Sequence, residues 1–280
     1  MPMCQKYLRI ILLTCLFTCM TYLGYAGVEP IPGAGARAIS LGKAYVGVWG
    51  DFWSLFYNPA GIVGVNGIQA GAYIERRFGL KELTFGSAGL VMPFKESQAV
   101  GLDFSSFGFD AYRENKVGMS YAIQLFDVLS IGAKVNYASV NIASYGSTSA
   151  FFVDIGLNTV ITEQLSLGVN VYNVNRSRLI GQSLEEDIPT VFTAGIAYRP
   201  SAKVMVVADV QKDIDHQVSF RGGIEYVIIP ALKARIGVSN EPLSWNAGLG
   251  FVFENLNLDL AFGYTDRLGY TPHLSLAYAF

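Results

Sequence analysis

Cysteine is confined to the start of the chain. Cys4, Cys15 and Cys19 are the only three in 280 residues. Without that segment there is no thiol, no disulfide framework and no cysteine ligand for a metal. Histidine is nearly missing as well, with His216 and His273 alone. Charged residues make up 15% of the chain, where soluble globular domains carry ~25%. That is a poor surface for an ordinary cytosolic enzyme. The formal net charge of −2 offers no basic excess to attract nucleic acid. Beyond residue 26 every long uncharged run is broken by Gly, Asn, Ser or Gln, so no stretch reaches the ~20 apolar residues of a membrane-spanning helix. With 51% hydrophobic and 13% aromatic residues, the chain is equally far from intrinsic disorder.

The apolar residues form two patterns. Residues 1–26 carry Lys6 and Arg9, then an apolar core from Ile10 to Met20, then Gly24 and Ala26 at the −3 and −1 positions of a cleavage site. This reads as a secretory signal peptide. The core is short for a membrane anchor, and Thr14 and Thr18 precede Cys15 and Cys19 where a lipoprotein signal would place a smaller residue.

From residue 64 onward the apolar residues alternate. In Asn255–Asp266 the residues Leu256, Leu258, Leu260, Phe262 and Tyr264 fall on one face, and Asn257, Asp259, Ala261 and Gly263 on the other. Successive strand side chains point to opposite faces, so this is a strand with one oily and one polar side. Fourteen such segments are expected near 66–76, 81–93, 97–107, 114–125, 128–140, 148–160, 164–176, 188–199, 202–212, 216–228, 231–239, 243–253, 255–265 and 270–280. Alternating segments of about ten residues separated by turns mark a transmembrane antiparallel β-barrel. The even-numbered connections are tight, and the odd-numbered ones include the longest, 175–189. Short periplasmic turns and longer outer loops give the same pattern. Leu258 and Val206 are expected mid-strand facing lipid. Asn257 and Val207 are expected to face the lumen and to tolerate polarity.

The polar face carries recurrent glycine, including Gly101, Gly132, Gly168, Gly223 and Gly237. Strand glycine marks curvature or a close backbone approach, and both readings stay open. The same face carries Asp103, Asp154, Asp209, Glu225 and Asp259 against Lys116, Lys134, Arg221, Lys233 and Arg235. An ion-selective pore would show one sign in excess, whereas balanced charge suggests internal salt bridges. Residues 27–63 precede the first strand. Ala38, Leu41, Tyr45, Val48 and Phe52 recur at helical spacing, weakened by Gly42, Gly47 and Gly50. This segment is expected to plug the lumen, with Arg37, Lys43 and Asp51 paired to lumen charges of opposite sign.

The run from Gly35 to Val65 resembles the N-terminal segment of the FadL-like outer-membrane superfamily, and is most similar to its PorV/PorQ branch. The shared features are Ala36-Arg37-Ala38, Gly42 to Val46, Asp51 and Asn58-Pro59-Ala60-Gly61. Phe280, after an aromatic-alternating strand, resembles the C-terminal signal read by the barrel assembly machinery. The resemblance implies a fourteen-strand barrel in outer-membrane lipid of a Gram-negative-type bacterium, with an N-terminal hatch in its lumen. It implies either passage of small hydrophobic compounds, some through a lateral gap in the wall, or docking of secreted proteins as in type IX secretion. A purely structural barrel is the third reading. A glycine kink opening the wall would favour passage, and Gly222-Gly223 is the best candidate for one.

Enzymatic readings have little support. His216 and His273 fall four strands apart, which argues against a shared site. His273 and Ser275 share a face but lack a nucleophile elbow and an orienting group. No cofactor motif is present: Gly248-x-Gly250 opens no helix.

Overall fold

A computed structural model describes residues 33–95, 97–126, 128–180, 185–266 and 268–280. Residues 1–26, expected to be a signal peptide, lie outside the described residues. Fourteen strands close into one antiparallel barrel, and each pairs with its sequence neighbours except where the ring closes. The first seven are β1 (Gln69–Arg76), β2 (Thr84–Pro93), β3 (Gln98–Phe109), β4 (Tyr112–Leu125), β5 (Leu129–Ile142), β6 (Gly146–Thr162) and β7 (Leu165–Tyr172). Two short strands, β8 (Arg178–Ile180) and β9 (Glu185–Asp187), pair only with each other. The barrel resumes with β10 (Val191–Ser201), β11 (Val204–Asp213), β12 (Val218–Ile229), β13 (Leu232–Asn240), β14 (Leu243–Phe253), β15 (Leu256–Thr265) and β16 (Gly269–Ala279). Closure is the β1–β16 ladder, running from Gln69 opposite Ala279 to Glu75 opposite His273. A closed sheet leaves no unpaired edge, which is what a lipid environment requires.

Period-two sequence drives this architecture. On β10, Phe192, Ala194, Ile196 and Tyr198 face outward while Val191, Thr193, Gly195 and Ala197 are buried within. The outer face carries a broad apolar band: Ile236 and Phe262 are about 60% exposed, and Met119 and Trp245 similarly so. Such a band is tolerable only in lipid.

Strand number and order agree with the sequence reading, and several boundaries shift. Residues 81–83 form a 3-10 turn ahead of β2. β6 runs to 17 residues. The seventh strand stops at Tyr172, because Asn173 adopts φ 53° and turns the chain inward. There Asn173 accepts from the Ser177 N–H (2.8 Å) and donates to the carbonyls of Ile188 (2.7 Å) and Ser177 (3.2 Å). The long loop therefore enters the barrel, burying Leu179 and Ile188 against Phe152, Tyr172 and Val140.

The wall shows no kink at Gly222-Gly223. Both glycines pair continuously, with Ala208 and Val207 on one side and Val238 and Gly237 on the other. The register shifts that do occur lie at the turn ends, near Val160, Tyr198 and Val227. Leu258 and Val206 face outward as expected but stand third in their strands, near the turn end rather than mid-strand. Val207 does face inward, but it is packed in the core of the plugged lumen and 1% exposed. It is no site for a charge.

The segment from Gly33 to Val65 lies inside the barrel. It is less helical than its apolar spacing suggests. One short helix, α1 (Ala36–Ser40), is followed by turns and two 3-10 turns, Phe52–Phe56 and Pro59–Gly64. Gly42 and Gly50, with φ of 70° and 73°, end each attempt at a longer helix in the left-handed region.

Candidate functional site

The plug sits on a stripe of wall glycines. A Cβ at Gly101 would fall 2.4 Å from the Leu55 side chain, at Gly132 2.4 Å from the Ala60 nitrogen, at Gly168 1.9 Å from the Val46 carbonyl, and at Gly237 2.1 Å from the Gly42 nitrogen. Gly71, Gly89, Gly156, Gly223 and Gly248 meet the plug in the same way. Of the two readings of strand glycine, close approach accounts for these positions.

A second set of glycines lies under salt bridges. The space above Gly118 is filled by Lys134 and Asp103, which pair at 2.6 Å across β4. That above Gly250 is filled by Arg235 and Asp259, which pair at 2.6 Å across β14. A residue missing its side chain lets the two flanking strands join charges over it.

Arg37 is the hub between plug and wall. Its Nε and an Nη donate to the Glu225 carboxylate, both at 2.9 Å, and its other Nη pairs with Asp51. Glu225 also accepts from Arg235 at 2.6 Å, so Asp51, Arg37, Glu225, Arg235 and Asp259 form one continuous network. A buried ion pair persists only when its charges are matched and hydrogen-bonded in this way. The expected pairing of Asp51 with a wall charge is not what forms. Asp51 caps the turn at Phe52–Phe56 by accepting from the Trp53 N–H (2.9 Å) and receives the Tyr45 hydroxyl (2.7 Å). That capping role keeps its carboxylate inside the plug. Burial holds the Tyr45 phenol well above its ordinary range, so it remains a donor. Lys43 lines a cavity on the loop side of the plug.

Other wall side chains bond the plug's irregular backbone. Asp209 accepts from the N–H groups of Tyr45 (2.8 Å) and Val46 (3.1 Å). Ser275 accepts from the Ala36 N–H at 3.1 Å, and Lys134 donates to the Leu55 carbonyl at 3.1 Å. Asn58 accepts from the Ala60 N–H (3.1 Å) and donates to the carbonyls of Val46 (2.9 Å) and Leu157 (3.0 Å). Pro59 opens the second 3-10 turn, and Gly61 fits where a Cβ would meet Ser54 at 2.8 Å. Each part of the Asn-Pro-Ala-Gly motif thus has a local reason. Asp154 accepts from the Asn136 amide and the Asn173 N–H. Arg221 stands opposite Asp209 across β11 and β12. Lys233, an inward residue of β13, lies within electrostatic reach of Glu225 and Arg37. The N–H of Phe280 donates to the Ile68 carbonyl at 2.9 Å, and its ring packs on Tyr278.

Among the described residues, cavities lie on both sides of the plug. The loop half of the lumen holds an apolar pocket of about 220 Å³ walled by Phe85, Phe107, Val140, Phe152, Tyr172, Leu179 and Ile188, with Lys116, Arg77 and Glu114 on its margin. A polar vestibule of about 500 Å³ lies beside it, lined by Lys43, Gln211, Asp213, Arg221, His216 and His273 among others. Both histidines line this cavity. His273 bonds the Tyr73 hydroxyl (2.7 Å) and lies 3.1 Å from Glu75. Among the described residues no three His, Cys, Asp or Glu side chains come together to hold a metal ion. At the turn end a third cavity of about 280 Å³ is lined by Arg199, Lys203 and Glu225. Periodicity could reveal the inward charges, but not the apolar pocket, which depends on the infolded loop.

No family model and no curated protein matches the chain. Solved structures do. The Ralstonia pickettii toluene transporter TbuX aligns with a TM-score of 0.71 at 14% identity, over 90% of this chain and all of that one. The CymD monoaromatic hydrocarbon channel gives 0.68 at 14% identity, over 89% and 98%. A Pseudomonas aeruginosa FadL homologue gives 0.67 at 13% identity, over 89% and 99%. At such identities the likeness is one of fold: the chain has a FadL-like β-barrel fold, shared with these bacterial channels.

Proposed function

We propose that this protein is a transport-class outer-membrane barrel that takes a small hydrophobic compound from outside into the apolar pocket and passes it by rearrangement of the plug. The pocket itself carries this reading. It is an apolar cavity against a largely polar inner wall, it lies in the loop half of the barrel, and packed plug separates it from the turn end. Ligand sites have this character: apolar walls with a few placed polar groups. The fold shared with monoaromatic hydrocarbon channels supports the same class of cargo. The docking role implied by the PorV-like segment would draw on the low outer rim, where Asp110-Ala111 and Glu241-Pro242 are two-residue connections. That role would show as a protein partner co-purifying with the barrel.

The test fills the pocket. Ala138 lines it from β5, and Ala138→Phe occupies it without touching the plug network. Cells producing the protein should accumulate a labelled single-ring compound faster than cells without it, and Ala138→Phe should abolish the difference while the barrel still assembles. Unchanged uptake by the filled variant would remove the pocket from the route.

A further inference from the structure

We infer that the compound held in the apolar pocket is a single-ring aromatic carboxylate, with its ring among Phe85, Phe107, Phe152 and Tyr172 and its carboxylate on Lys116. This rests on the transport reading above and narrows its substrate class.

The size comes first. An apolar cavity of about 150 Å³ holds one benzene ring. At about 220 Å³ this pocket takes a ring with one small substituent, and is too small for a long acyl chain. The charge comes next. Lys116 points inward from β4 at the edge of the pocket, with its ammonium 5.6 Å from the centroid of the Tyr172 ring. Among the described residues no carboxylate lies within ion-pairing distance of it. The acids nearest in charge are Asp103, Asp154 and Glu114, and each is engaged elsewhere. Asp103 pairs with Lys134 at 2.6 Å. Asp154 accepts from Asn136 (2.8 Å) and from the Asn173 N–H (3.0 Å). Glu114, which shares the pocket margin with Lys116, accepts the Tyr112 hydroxyl. The second cation on the pocket margin, Arg77, is held by Glu75 at 2.6 Å and lies over the Phe107 ring.

A neutral ring filling this space would strip water from the Lys116 ammonium and leave it the face of Tyr172 with no acid at ion-pairing distance. Burying a charge without a counter-charge is unfavourable. A carboxylate on the ring supplies the missing acceptor, and a charge-assisted hydrogen bond is among the stronger polar contacts available. The cavity at the far side of the plug repeats the pattern. Arg199 and Lys203 line it with Glu225, whose carboxylate is already bonded by Arg37 and Arg235; Glu163 is exposed at its rim. An anion leaving the plug would meet cations there too.

Calorimetric titration of the detergent-solubilised full barrel with benzoate, and separately with toluene, decides the matter. Benzoate should bind the natural protein more tightly than toluene. Lys116→Met should weaken benzoate by about 10- to 100-fold, the loss of one charged hydrogen bond, and leave toluene unchanged. Lys116→Arg should restore most of the benzoate affinity, and Phe152→Ala should weaken both ligands. Gel mobility before and after boiling establishes that each variant is a folded barrel. If toluene binds and benzoate binds Lys116→Met as well as the natural protein, the carboxylate assignment is wrong while the hydrophobic route stands. If neither ligand binds the natural protein, the route falls as well.

Discussion

Gly222 and Gly223 are adjacent on β12 and offer a controlled test of why the wall is so rich in glycine. Gly222 faces outward, and a Cβ there meets only the Val207 carbonyl, at 3.4 Å. Gly223 faces inward, and a Cβ there falls 2.6 Å from Leu41 Cα, 2.7 Å from its oxygen and 2.8 Å from its carbonyl carbon. All three atoms are backbone, so no rotamer change relieves the clash. Leu41 would have to retreat by about 0.8 Å to reach the 3.4 Å of an ordinary contact. It is held in place by α1, which is tied to the wall through Arg37–Glu225 and Ala36–Ser275. Overpacking of this kind costs about 1–3 kcal/mol. Gly→Ala at a compatible position instead stabilises by about 0.4–1 kcal/mol through the unfolded chain. Gly222→Ala should therefore raise or preserve the temperature at which the folded band is lost on SDS gels. Gly223→Ala should lower it, or keep the barrel and raise its conductance in planar bilayers by unseating the plug. Equal midpoints and equal conductance for the two variants would refute the packing explanation and return these glycines to curvature.

The intact protein should keep its fold in SDS until heated; identical migration of boiled and unboiled samples would contradict a closed barrel. Ile236→Arg, central on β13 and facing outward, should cost ~2–4 kcal/mol if it lies at the bilayer midplane, whereas Ser244→Arg, which lines the vestibule, should assemble normally; similar assembly yields would argue against the outward face being in lipid. Glu225→Gln leaves Arg37 and Arg235 without their shared counter-charge and should destabilise by on the order of 3 kcal/mol, near the low end for a broken buried pair because Asp51 and Asp259 remain. A thermal midpoint unmoved by that change would mean the network adds nothing to holding the plug. Deleting residues 35–57 should leave a folded barrel of larger conductance, since the strand ladders close without the plug; equal conductance before and after would show that the plug does not occlude.

Much of the barrel was legible because lipid is an unforgiving solvent for side chains. One polar residue out of register on Leu256–Thr265 would face hydrocarbon, so the alternation stays clean along the strand. The strand ends were less legible. Asn173 ends β7 through a left-handed turn and three side-chain hydrogen bonds, and nothing in a period-two pattern announces that. The plug's helical spacing misled in part: Ala38, Leu41, Tyr45, Val48 and Phe52 are all buried, but they are surrounded by wall rather than aligned along one face. When every direction is interior, apolar spacing no longer reports a helix. Asp51 was legible as a charge needing a partner, but not as a turn cap. The apolar pocket could not be read at all, since Leu179 and Ile188 reach it only through the inward fold of a loop whose composition is that of an exposed one.

The polar inner wall and the irregular plug explain one another. A water-filled lumen would account for polar residues on the inner face, but Asp209, Lys134, Ser275 and Asn158 are almost completely buried. Backbone groups away from water must be paired, and a helix would pair them itself. This plug has one helix of five residues and otherwise turns, so its N–H and C=O groups need partners from outside. Asp209 serves Tyr45 and Val46, Ser275 serves Ala36, Lys134 serves Leu55, and Ser166 donates to the Gly47 carbonyl at 2.8 Å. An apolar wall would have forced the plug to be helical, and a helix is about 10 Å across with its side chains. Turns lying on glycine fit closer and fill the lumen more completely. The bonds that hold them are also separable. Each joins one wall side chain to one backbone group, and water could replace them one at a time. A helix is cooperative and opens at greater cost. A plug built this way can seal against the wall and still be rearranged locally, without unfolding the barrel around it.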